Sequence, residues 1–176
     1  MARKLTLYIA TSTDGFIATP DGDLSFLNVV ETPGEDYGYH QFMASVDTVI
    51  LGRKTYDKVV SLGVENPHSD KECYVITRTP REGKGNLTFY SGEITELVTR
   101  LKKEPGNRIF CDGGSEIIDL LLRHELIDEF IISVIPTLLG NGIPLFKAGR
   151  NLLPLKLLSS QAYPSGLLQL HYEAIK

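Results

Sequence analysis

Apolar and polar positions alternate from Lys4 to Ser12, with β-branched residues among them, which predicts a strand. Thr13-Asp14-Gly15 and Pro20-Asp21-Gly22-Asp23 then place turn chemistry on either side of Phe16-Ile17-Ala18, so the strand runs into a structured loop. Between Asp36 and Ser45 the period becomes helical, with Tyr39, Phe42 and Met43 at i, i+3 and i+4 as the inward stripe. Asp47 to Leu51 reads as a buried strand. Gly52-Arg53-Lys54-Thr55 opens a second helical pattern that turns Tyr56, Val59 and Val60 inward and stops near Gly63. Strands at Glu72 to Thr77 and Leu87 to Tyr90 precede an amphipathic helix, Ile94 to Lys103, closed by Pro105-Gly106. A strand at Arg108 to Cys111 leads through Gly113-Gly114 into a helix from Ser115 to His124.

Strand and helix alternating in this way require a sheet with parallel members and helices on its faces. From Glu129 the pattern changes: Phe130 to Ile135, Leu155 to Ala162 and Leu167 to Ile175 are strand-like with no helix between them, which predicts an antiparallel end. The expected fold is an α/β three-layer α-β-α sandwich around a mixed, mainly parallel sheet. Its 176 residues suit a single domain, 1–176, without repeats or linkers, and can remove roughly 70% of the unfolded surface from water. Ile132, Val134 and Ile135 serve a core or a subunit interface equally well by composition, and a homodimer is expected.

Charge narrows the function. Eighteen basic against 22 acidic residues give a net −4 with no basic cluster, which disfavours nucleic acid as the partner. No apolar run approaches the ~20 residues of a membrane span, and Leu5 to Ala10 is too short for a secretory segment, so a cytoplasmic protein is expected. Cys73 and Cys111 sit in apolar strands and are expected as buried free thiols. His40, His68, His124 and His171 are scattered, so no metal is expected.

Three strands end on small or polar residues just where a helix or loop begins: Leu51-Gly52-Arg53, Thr77-Arg78-Thr79 and Cys111-Asp112-Gly113-Gly114-Ser115. In an open α/β sheet, such ends form the ligand crevice, and helix N-termini offer N–H groups to anions. Gly113 and Gly114 let the backbone approach a pyrophosphate, Arg53, Lys54 and Arg78 bring positive charge, and Thr55, Thr77, Thr79 and Ser115 bring hydroxyls. Gly140-Asn141-Gly142 is followed by Ile143-Pro144 rather than a helix and reads as a turn.

On Ala10 to Ala18, Val49 to Thr55, Asp112-Gly113-Gly114, Leu126 to Glu129 and Pro136 to Phe146, the chain resembles the dihydrofolate reductase superfamily. The resemblance is greater to the reductase domain of the riboflavin-pathway deaminase/reductase. It implies NADPH as hydride donor and a small pyrimidine phosphoribosyl compound or a pteridine as acceptor. Position by position, it implies Ala10 and Ile17 beside the nicotinamide, and Gly52, Arg53, Lys54 and Thr55 on phosphates. Thr77, Arg78 and Thr79 would neighbour the 2′-phosphate, with Gly113, Gly114, Ser115 and Glu116 on the pyrophosphate. Asp36 and Asp112 are its candidate catalytic acids. Each also has a plain structural reading, Asp36 at the start of the first helix and Asp112 capping the helix after it. The chain departs in having no tryptophan, which dihydrofolate reductases carry in their first loop. The leading expectation is a reductase of the 5-amino-6-(5-phosphoribosylamino)uracil reductase type. A dihydrofolate reductase and a non-catalytic nucleotide-binding homodimer are the alternatives.

Overall fold

The computed structural model describes residues 3–64 and 67–176. In chain order the elements are β1 (Leu5–Ser12), β2 (Phe16–Ala18), a 3-10 helix (Ser25–Val30), α1 (Tyr39–Ala44), β3 (Val46–Gly52) and α2 (Arg53–Ser61). There follow β4 (Glu72–Ile76), β5 (Leu87–Tyr90), α3 (Ile94–Lys103), β6 (Arg108–Gly113) and α4 (Ser115–Arg123). The chain ends with β7 (Glu129–Ile135), β8 (Ile143–Pro144), β9 (Leu155–Ala162) and β10 (Leu168–Ala174).

Eight strands make one sheet, ordered β5-β4-β3-β6-β1-β7-β10-β9, while β2 and β8 form a separate ribbon. Every neighbouring pair from β5 to β7 is parallel, and β10 runs antiparallel to both β7 and β9. The mixed sandwich expected from the pattern is therefore the observed one. β3 is apolar along nearly its whole length because helices cover both of its faces. On one face, α3 turns Ile94, Leu97, Val98 and Leu101 inward, and α4 turns in Ile117, Ile118, Leu121 and Leu122, against Leu5 and Leu7 of β1. Phe42 of α1 and Tyr56 of α2 pack the other face with Val49, Leu51, Val75 and Phe110. A third cluster joins Phe26 and Val30 of the 3-10 helix to Ile135 and Leu167. Each fully buried aliphatic or aromatic chain here contributes roughly 1.5 to 3 kcal/mol.

Several details depart from the sequence pattern. The first helix begins at Tyr39 rather than Asp36, because Tyr37 (φ 56°) and Gly38 (φ 81°) hold left-handed backbone that no helix can include. Tyr39 is consequently half out of the core, its ring edge-on to Tyr8 at 5.6 Å. The 3-10 helix and the two-residue β8 were not legible, both being shorter than the period that would reveal them. Val59 is half-buried beside Tyr56, which leaves Val60 on the solvent flank of α2. Ile132 and Ile135 are interior, with Val134 half-buried. Among the apolar residues left in the open are Leu155, Leu157 and Leu158 on β9, the last strand of the sheet order, and Leu168 on β10. Cys73 and Cys111 are free and buried.

At the amino ends of the parallel strands, charges are buried in pairs. Arg3 reaches Asp47 and donates to Thr48 Oγ1 (2.7 Å) and to the carbonyl of Asn107 (2.8 Å). Glu129, 4% exposed, accepts from Lys4 Nζ at 2.7 Å and from Arg108. Asp128 accepts from the Leu5 amide at 2.8 Å and pairs with Lys102 and Lys176. Burial opposes ionisation of Glu129 and Asp128, but these partners outweigh it and hold both carboxyls below their usual range. Both are therefore more acidic folded than unfolded. The stabilisation is fully present above the unfolded values near pH 4 and drains away as the pH falls through the folded ones. Glu129→Gln is expected to cost about 2 kcal/mol at pH 7, below a fully buried pair because Lys4 and Arg108 reach water, and to flatten the acid limb of the stability curve. Urea titrations between pH 3 and 7 check both.

Candidate active site

The carboxyl ends of β4, β3, β6 and β1 lie side by side, since these strands are neighbours and parallel. Two helices start directly at this edge. Gly52 is both the last residue of β3 and the residue before α2, and Gly114 holds the same place before α4. Neither first turn receives a side-chain cap, so its leading N–H groups face the edge. The two turns touch: a Cβ on Gly114 would stand 3.1 Å from Thr55 Oγ1 and 3.7 Å from the Cα of Gly52. Gly113 (φ 106°) and Gly114 (φ 89°) both hold positive φ, so glycine is required there for conformation as well as for space.

Positive charge gathers at the same edge. Lys54 Nζ donates to Glu116 Oε1 at 2.9 Å, and this contact holds the Glu116 carboxyl below its usual range, with Lys147 and Arg78 adding to the pull. Arg53 is exposed and paired with Asp57 at 3.2 Å. Beyond β4, the buried Thr77 hydroxyl accepts from the Thr79 amide at 3.2 Å, which fixes the turn that presents the exposed Arg78 and Thr79. Ser115 follows Gly114 in the first turn of α4, Ala10 lies near the end of β1, and Ile17 lies in β2. Gly52 to Thr55, Thr77 to Thr79 and Gly113 to Glu116 thus lie at the carboxyl ends of β3, β4 and β6, with Ala10 in β1 and Ile17 in β2, and the Gly114 cradle, the open helix starts and the cations there fit the phosphates of a nucleotide cofactor.

The two candidate acids pair with histidines rather than with the cations of that edge. β3 pairs Ile50 with Cys111 and Leu51 with Gly113, so Asp112 has no partner across the ladder and occupies a bulge. The bulge turns its carboxylate to His68, whose Nε2 lies 2.8 Å from Oδ2. His68 is 5% exposed, its ring edge-on to Phe110. Asp112 therefore does not cap α4. Asp36 accepts from the amides of Gly38 (3.0 Å) and His40 (2.8 Å) and pairs with the His40 ring, which is its helix-start reading made concrete. Backbone bonds to His40 and Gly38 hold its carboxyl below the usual range.

Between the acids lie tyrosines. Tyr39 is pushed up to about 12 by burial and by the nearby Asp112. Burial likewise raises Tyr8. Gln169 donates to Tyr8 Oη (3.0 Å), the Tyr37 carbonyl (3.1 Å) and Ser133 Oγ (3.2 Å), locking the left-handed Tyr37 to the sheet. His68, Tyr8 and Gln169 carried no sequence signal as a group, because their contacts join segments far apart in the chain or come from a loop without periodicity, while Tyr39 read only as core.

A clasp joins the turn after β1 to the 136–142 loop. Asp14, in the turn after β1, accepts from Ser12 Oγ (2.6 Å) and from the amides of Leu139 (3.1 Å) and Gly140 (2.7 Å). The Ser12 bond first, and these amides after it, hold its carboxyl low. The Thr13 amide adds a bond to the Thr137 carbonyl at 2.9 Å, and Gly142 passes so close to Ala18 that a Cβ would lie 2.2 Å from its carbonyl oxygen.

Comparison with known proteins agrees with the fold. The profile of the RibD C-terminal domain family matches residues 3–169. The uncharacterised protein YwjB of Bacillus subtilis (strain 168) is 43% identical over 173 residues, 98% of each chain. A crystal structure from Shewanella sp. PV-4, of a protein whose name links it to riboflavin biosynthesis, superposes with a TM-score of 0.89 at 32% identity over the whole of both chains. Dihydrofolate reductase from Enterococcus faecalis, solved with NADP(H), shares the fold at a TM-score of 0.68 and 14% identity over both full chains.

If Asp14 holds the two loops together, Asp14→Ala should leave the sheet intact and raise hydrogen exchange of the Leu139 and Gly140 amides about tenfold. Exchange mass spectrometry or NMR reads this directly.

Proposed function

The chain belongs to the RibD C-terminal domain family, and from that premise we propose that it is an NADPH-dependent reductase of a carbonyl or imine carbon in a small heterocyclic acceptor. The 5-amino-6-(5-phosphoribosylamino)uracil type and dihydrofolate are the two acceptor chemistries this reading offers. One observation carries the proposal: two uncapped helix starts, at Gly52 and Gly114, meet beside a cationic cluster on adjacent parallel strand ends.

When bound, NADPH supplies the hydride. The chain supplies position and charge. Amides of the first turns of α2 and α4 hold phosphate oxygens, while Lys54, Arg53 and Arg78 offset their charge. Thr55 and Ser115 add hydroxyls at the same turns, and Thr77 and Thr79 shape the adenosine end. Ala10 and Ile17 border the nicotinamide, and the Asp14 clasp keeps the β1–β2 turn against the 136–142 loop, excluding water from the reacting face. Proton delivery falls to Asp112, held in aim by the buried His68, or to Asp36 through His40. The reading extends to a cytoplasmic homodimer, and a single monomeric species in sedimentation would remove that part of it.

Arg53→Ala and Arg78→Ala should each weaken NADPH binding about 10- to 150-fold, the worth of one charge-assisted phosphate contact, without altering thermal stability, because both side chains are exposed. Calorimetric titration with NADPH and NADH measures this. Unchanged NADPH affinity in both variants would overturn the phosphate assignment.

A further inference from the structure

The hairpin of β9 and β10 is left uncovered. All eight residues of β9 are exposed, among them Leu155 at 37% and Leu157 at 51%, and Leu168 on β10 is 38% exposed. Side chains directly opposite one another in an antiparallel pair share one face. Leu155 and Leu157 stand opposite Ala174 and Tyr172, and Ala162 stands opposite Leu168. The remaining pair on that face joins Ser160 to Leu170. None of these residues is charged. The reverse face of the same hairpin carries Lys156, His171 and Glu173, with Glu173 paired to Lys4 at 2.9 Å. On the uncharged side, Tyr172 and Ala174 pack against the core that α3 and α4 build. β9 lies beyond that cover. A two-stranded ribbon of this length is about 27 Å long and ~10 Å wide, and an apolar patch of a few hundred Å² on a folded chain is often functional.

Two features choose the occupant. A two-fold contact sets each residue near the axis against its own copy, so any charge there would meet its like. The uncharged pairs satisfy that condition, and a second copy offers the same leucines in return, whereas a charged partner finds nothing to pair with on this side. The register of β9 also slips between Leu157 and Ser159, leaving Leu158 as an extra residue. Such a bulge interrupts the hydrogen-bonding edge along which a further strand could be added, so the contact is through the face. We propose that a second copy of this chain covers the uncharged face of the β9–β10 hairpin, the two sheets packing face to face ~10 Å apart about a two-fold axis. This locates the interface of the homodimer and rests on the chain being dimeric, not on the reductase chemistry.

Sedimentation of the full chain tests it, with far-UV circular dichroism as the check on folding. The chain is expected at twice its mass of 19.5 kDa. Leu157→Arg brings like charges into the contact and should raise the dimer dissociation constant at least about 100-fold. Leu168→Glu, toward the other end of the face, should act in the same direction. Both positions are exposed, so the fold should survive either change. Ser159→Arg, opposite His171 on the reverse face, is expected to leave the dimer unchanged. A dimer that withstands both leucine variants, or one broken as readily by Ser159→Arg, would overturn this interface and leave the homodimer standing. A wild-type chain that stays monomeric throughout its soluble range would remove both, while NADPH binding by that monomer would keep the reductase reading.

Discussion

The parallel pairing of β3 with β6 sets Leu51 beside Gly113 and so carries the first turns of α2 and α4 into contact at Thr55 and Gly114. That contact exists only because both strands are buried on both faces and both are followed at once by a helix. Gly52 shows how tight the arrangement is, since a Cβ there would stand 3.0 Å from Ile117 of α4. Helix dipoles that would be separate surface features on an isolated hairpin are thereby summed at one spot. The glycines follow from this crowding, and so does the anion site.

The same strand pair also fixes the acid. Regular pairing would continue Cys111 into Asp112 opposite Leu51; the bulge gives that place to Gly113 and releases Asp112 from the ladder. A bulge bends a strand and re-aims one side chain, and here the re-aimed chain meets a buried histidine from the loop after α2. One irregularity in β6 therefore acts on two neighbours: it sets Gly113 opposite Leu51 at the glycine turn and swings the Asp112 carboxylate to His68.

Much of this was legible from the residues. The order of strands and helices follows from periodicity, because buried parallel strands and amphipathic helices leave strong, separate patterns, as in β3 and α3. The two helix starts were legible because their chemistry is local: Gly-Gly before a helix and Gly-Arg-Lys-Thr at another helix start are each contained in a few residues. The surroundings of Asp112 were not. Asp112 was named, but its partner His68 lies 44 positions away in a loop with no repeat, and a bulge leaves no mark in a six-residue strand. Tyr39 read as core because Phe42 and Met43 share its stripe, and only the left-handed Tyr37-Gly38 pair shifts the helix enough to bring it out. Local sequence reports backbone and cofactor; the acceptor surface is assembled from distant pieces.

The carboxylates at the two ends of the sheet are chemically alike and yet differently completed. At the amino ends, Glu129 and Asp128 are each held by two cationic side chains, so their charge is spent on the fold. At the carboxyl ends, Asp112 and Asp36 are met by histidines, His68 and His40, in place of lysine or arginine. The two ends of the same strands thus differ in how their carboxylates are completed, by cationic side chains at one end and by imidazole rings at the other.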